Sequence, residues 1–141
     1  MFDRSSRTDL RRRFVEAWRK LSSRSPLEPL EAQIAAVIEV HPEYVPLLDE
    51  GEAALAAEFT PESGRENPFL HMGMHLAIRE QVATDRPPGI AGIQARLARR
   101  LGSDHAAEHA MMEALGQTLW EAQRTGIAPD EQRYLAQLSR I

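Results

Sequence analysis

The 141 residues contain no cysteine, which excludes disulfides, thiolate nucleophiles and zinc sites built on cysteine. Long apolar runs are missing too. The longest uncharged stretch of the most apolar segment covers only positions 67–78, well short of the roughly 20 residues a membrane-spanning helix needs. The first residues, MFDRSSRTDLRRRF, have no apolar h-region, so no secretory leader is expected and a cytoplasmic setting is. Apolar–polar alternation of useful length is absent, which argues against a sheet. No P-loop, G-x-G-x-x-G or G-x-S-x-G occurs, removing the usual phosphate cradles and the nucleophile elbow. The net charge is −4, so the chain as a whole makes no case for nucleic acid.

What is present is a globular mixture, 43% apolar and 27% charged. The length predicts a single helical domain over residues 1–141, with 1–7 as a flexible tail. Charge is unevenly spread. Residues 1–25 carry eight basic and three acidic side chains, whereas 26–66 set Arg65 against ten acids. Two solvated faces that attract each other account for this. The alternative is an anion-binding helix built from Arg4, Arg7, Arg11, Arg12, Arg13 and Arg19, although it lacks the aromatics of a base-stacking platform.

The apolar spacing is helical throughout. Leu10, Phe14, Ala17, Trp18 and Leu21 share one helix face, with Thr8 or Asp9 as the cap. A second helix runs from about Pro29 to Val40, and Pro42 ends it. A weaker stretch, Glu43 to Phe59, breaks near Gly51. Asn67 and Pro68 open a helix to about Ala83 that is apolar nearly all round, the pattern of a helix in the middle of a bundle. Positions 84–89, TDRPPG, form a loop. Ile90 to Leu101 ends at Gly102, Ser103 or Asp104 caps a long helix to about Arg124, and Pro129 opens the last short one. The fold class is therefore all-α, a bundle of six to seven helices with a four-helix core.

The chemistry lies in five histidines. His71 with His75, and His105 with His109, form two H-x3-H pairs, against roughly 0.2 expected by chance. Residues i and i+4 stand one above the other on a helix, so both imidazoles of a pair can reach one cation. On the wheel of the long helix, with His105 at zero, Glu108 falls at about −60°, between Met112 at about −20° and Leu115 at about −80°. A carboxylate among apolar positions needs a cationic partner. Glu113 borders the same face at about 80°. These positions give a candidate metal set of His71, His75, His105, His109 and Glu108, with Glu108 or Glu113 as a catalytic base. With no thiolate, the donors suit zinc or iron, and also manganese or nickel. Met72, Met74, Met111 and Met112 leave copper open as well. His41, before Pro42, reads as a helix-end histidine bonding a free carbonyl, with a peripheral ligand role as the alternative.

Known metal motifs fit only in part. His105-Ala-Ala-Glu108-His109 resembles the inverted zinc-protease signature, but only 32 residues follow it for a distant third ligand. No histidine has Glu three positions before it, so the ferritin-like di-iron pattern fails. HPEY at 41–44, NPFLHMGMHLAIREQ at 67–81, RPPGI at 86–90 and AEHAMMEALGQTLWEAQR at 107–124 give a closer match. With FVEAWRK at 14–20, they resemble a small bacterial family catalogued as a domain of unknown function. The resemblance implies a single-domain helical protein with both histidine pairs inside its motifs, and implies no activity. Three functions follow as expectations. They are a bundle binding a divalent metal, a non-enzymatic interaction module (a homodimer included) with a metal-free histidine network, and a nucleic-acid accessory protein using the Arg-rich helix. No membrane partner is expected.

Overall fold

A computed structural model describes residues 4–59 and 66–141, with side chains from Thr8 onward. It contains eight α-helices, a short 3-10 helix at Pro42–Tyr44 and no strand among the described residues. None of these helices is long and apolar enough to cross a membrane. The chain divides into two compact units, Met1–Gly73 and Met74–Ile141.

The first unit is organised by α1 (Arg4–Ser22), which packs against α2 (Pro29–Glu39), α3 (Val45–Asp49) and α4 (Glu52–Leu55). The expected cap at Thr8 or Asp9 is corrected: with no proline or glycine before Pro26, nothing stops the helix from starting at Arg4. Of the stretch expected to be a tail, 4–7 therefore lie in α1 and 1–3 lie outside the described residues. The predicted apolar stripe faces inward, with Phe14 and Ala17 buried, as are Ile34, Val37 and Ile38 of α2 and Leu48 of α3. Pro29 sits at the first position of α2, and the Glu28 amide donates to Glu31 Oε1 at 2.9 Å. The weak third stretch splits around Gly51, whose φ of +60° suits glycine. That split is one reason the helix count exceeds the expected six to seven.

The oppositely charged stretches meet within this unit. Arg12 pairs with Glu52 at 3.0 Å and Lys20 with Glu31 at 2.9 Å, while the Trp18 indole donates to Asp49 at 2.6 Å. Arg11 donates to the carbonyls of Leu55 (3.2 Å) and Ala57 (2.7 Å), closing the end of α4, and its guanidinium lies over the rings of Phe59 and Phe69. Arg19 pairs with Glu16. Arginines engaged in this way serve the fold, as the two-face reading expects.

Helix α5 (Pro68–Thr84) contains the boundary between the units, after Gly73. Asn67 Oδ1 accepts from the amides of Phe69 and Leu70 at 3.1 and 3.2 Å, the predicted cap. Between Pro68 and Arg79 only Leu70 is exposed, in keeping with the all-round apolar pattern.

In the second unit, the rest of α5 joins α6 (Ile90–Leu101), α7 (Asp104–Thr125) and α8 (Glu131–Ser139). Their core holds Ile78, Ile90, Leu97, Ala107, Met111, Met112, Leu115, Tyr134 and Leu138. Gly102 closes α6 in the left-handed region and Ser103 caps α7, its hydroxyl accepting from the Ala106 amide at 3.0 Å. Both were expected. The last helix starts later than Pro129, because Asp130 takes the cap position and accepts from the Arg133 amide at 3.0 Å.

Candidate functional site

Two helices of the second unit bring the ionisable side chains together. Helix α5 supplies His75 and, one turn later, Arg79. The first turns of α7 supply His105, Glu108 and His109, held in register by the Ser103 cap. The three imidazoles touch: ring centroids are 5.0 Å apart for His75 and His105, 4.8 Å for His75 and His109, and 4.4 Å for His105 and His109. One nitrogen from each lies within 4.8 Å of the others. A tetrahedral ion with bonds of about 2.0–2.1 Å holds its nitrogens about 3.3 Å apart. The trio therefore closes on an ion with side-chain movements of about 1.5 Å or less.

The trio runs from interior to surface. His75 is fully buried, His105 half-buried and His109 exposed. One side of the cluster thus opens to solvent, while His75 lies in the interior.

Behind His75 stands Glu108, its side chain 7% exposed. Glu108 Oε1 accepts from His75 Nδ1 at 2.8 Å, and Arg79 Nε lies 3.1 Å from each carboxylate oxygen. Burial pushes the Glu108 carboxyl up, but the His75 hydrogen bond and the Arg79 guanidinium outweigh it and hold the group below the ordinary carboxylate range. An ionised carboxylate only accepts, so His75 carries its proton on Nδ1. Nε2, the nitrogen remote from Glu108, is the one through which His75 would bind an ion. A carboxylate fixing a histidine tautomer from behind is the usual outer support of a metal-bound imidazole.

The remaining predicted histidines have partners of their own. His71 lies in the first unit, with Nδ1 3.1 Å from Glu66 Oε1 and its ring edge-on to His41 at 5.1 Å. His41 is buried, stacks on Tyr44 at 5.5 Å, and donates from Nδ1 to the Val37 carbonyl at 2.8 Å, the helix-end role expected for it. The Tyr44 hydroxyl reaches Glu66 at 3.4 Å, and burial together with the charges of Glu66 and Glu43 pushes its phenol up to about 12. Glu113 is exposed on α7 and is not among the groups that meet, since its wheel angle of about 80° from His105 carries it past the buried face. The methionines are taken up by packing: Met72 is buried, Met111 and Met112 lie in the core, and Met74 packs against it.

Arg79 is the participant that sequence reading missed. It is a charge in a helix that is otherwise apolar nearly all round, and it stands four residues after His75, on the same face. An inward Glu108 without a named cation was the signal that could have found it.

A family model described as Domain of unknown function (DUF1841) matches residues 6–140. No curated protein matches the chain, and no solved structure does.

Proposed function

The chain belongs to the DUF1841 family, whose description assigns no activity, and from its side chains we propose that the protein binds a divalent metal ion through His75, His105 and His109. The carrying observation is the mutual approach of three imidazoles, each offering a nitrogen within 4.8 Å of the others. Three imidazolium rings at such distances would repel one another, whereas three neutral ones with an ion between them would not. Glu108 supports the reading by fixing His75 on the tautomer whose Nε2 faces away from the carboxylate. In this arrangement Glu108 orients a ligand rather than serving as one.

Nitrogen donors without sulfur favour zinc or iron, with manganese and nickel next. Three protein ligands beside solvent form the set used by catalytic rather than structural zinc sites, because a fourth position is left for water or substrate. The matching reaction class is metal-assisted hydrolysis, in which the ion supplies a hydroxide at neutral pH. A cytoplasmic setting is part of the same reading.

One observation favours a metal-free histidine network instead: His75 and Arg79 already satisfy Glu108 without an ion. Elemental analysis of untagged protein, paired with thermal melts before and after chelation, separates the two. The metal reading expects near one ion per chain and a melting temperature that falls on chelation and returns with zinc. Protein that stays metal-free after incubation with each ion, and melts identically throughout, refutes it.

A further inference from the structure

We propose that Arg79 is the positioning residue that keeps Glu108 off the ion and thereby keeps one coordination position open; this rests on the metal reading above. Glu108 follows His105 by three residues on α7, so the two side chains are neighbours on the helix surface. A carboxylate so placed is an obvious ligand for an ion that accepts nitrogen and oxygen donors. The contacts turn it the other way. Arg79 Nε lies 3.1 Å from both Glu108 oxygens, and His75 Nδ1 adds a 2.8 Å bond to one of them. A guanidinium does not deprotonate in proteins, so this restraint is permanent. Lysine at the same position would offer a mobile point charge on a flexible stem.

The consequence is electrostatic as well as geometric. With Glu108 neutralised by Arg79, the ion would be held by three neutral imidazoles and keep its full double charge. A fourth position of that kind favours anionic ligands and ionised water. Once Arg79 is removed, Glu108 swings to the ion, fills the position and cancels part of the charge.

Cobalt(II) serves as the probe ion because its visible absorption reports coordination, and sodium azide serves as the probe anion. Wild-type protein should bind one cobalt and change its spectrum on azide titration. Arg79→Gln should retain cobalt at equal or higher affinity while azide affinity falls about tenfold or more. The double variant Arg79→Gln with Glu108→Gln should regain the azide response, since the competing carboxylate is gone. Rescue of this kind does not follow from a merely structural role. Arg79→Lys should fall between wild type and Arg79→Gln, and it carries the comparison if Arg79→Gln fails to fold. Unchanged azide affinity in a cobalt-loaded Arg79→Gln or Arg79→Lys protein overturns the inference and leaves the metal reading standing. So does a cobalt-loaded wild type that ignores azide, or a double variant that stays unresponsive. A wild type that takes up no cobalt overturns both.

Discussion

Each unit pairs a histidine Nδ1 with a glutamate, and the two pairs differ in almost everything else. In the first unit His71 meets Glu66 at 3.1 Å, but the Glu66 side chain is 66% exposed, and it also meets the Tyr44 hydroxyl. In the second unit His75 meets Glu108 at 2.8 Å, with both side chains in the interior and a guanidinium on the carboxylate. Water screens the first pair and makes it nearly dispensable. Desolvation makes the second costly to break, because removing one partner strands the others. The same two residue types thus give a surface contact in one place and a structural commitment in the other, and the committed pair adjoins the rings of His105 and His109.

The largest effect should come from breaking the buried pair. Glu108→Ala is expected to cost about 3–5 kcal/mol, because it leaves His75 and Arg79 without their acceptor, while Glu66→Ala should cost about 1 kcal/mol or less. Urea denaturation of the two variants reads the contrast directly, and equal losses would erase it. Metal comes next. At zinc concentrations near 100 times Kd the wild type should gain about 2.7 kcal/mol. His105→Ala and His109→Ala should abolish that gain, while His71→Gln keeps it. Calorimetric melts with and without zinc test this, and a gain that depends on His71 would shift the site towards the first unit. Ser103→Ala, which removes the cap that sets the first turn of α7, should cost about 1 kcal/mol. Chemical denaturation checks it, and a parallel loss of zinc affinity would show that the cap also holds the ligands in register.

The smallest effect at neutral pH concerns Tyr44. Its folded pKa of about 12 lies above the ordinary 10.0, so folding favours the neutral phenol. The associated stability is fully present below pH 10 and is lost as pH rises towards 12. Ultraviolet titration of wild type and Tyr44→Phe should assign the late transition. A midpoint near 10 would mean that the ring is more open to water than its burial indicates.

Much of this was legible because helices obey a fixed angle per residue. Phe14 and Ala17, the Asn67 and Ser103 caps, the Gly102 stop and the inward turn of Glu108 all follow from spacing and local chemistry. Spacing did not reveal that His71 and His75 would be sorted differently. They stand only about 40° apart on the wheel, but one full turn separates them along α5, and the boundary between the units falls in that turn. A wheel projects away the axial coordinate, which here decides their company. Arg79 was hidden for a related reason: a charge in an apolar helix looks like an interruption until the acid it answers, 29 residues away, is placed. Glu113 shows the opposite error, an angle close enough to suggest the site but on the solvent side of it.

The junction between α6 and α7 has an evolutionary corollary. Gly102 ends one helix and Ser103 caps the next, so no spare residue lies between the stop and the start. A codon inserted between Ser103 and His105 would rotate His105, Glu108 and His109 together by about 100° about the helix axis, taking all three away from His75 in a single step. Length change here is all-or-nothing. The turn from Gly126 to Asp130, downstream of these side chains on α7, can lengthen without that penalty. Insertions and deletions tolerated near α7 should therefore accumulate after it and be purged before it.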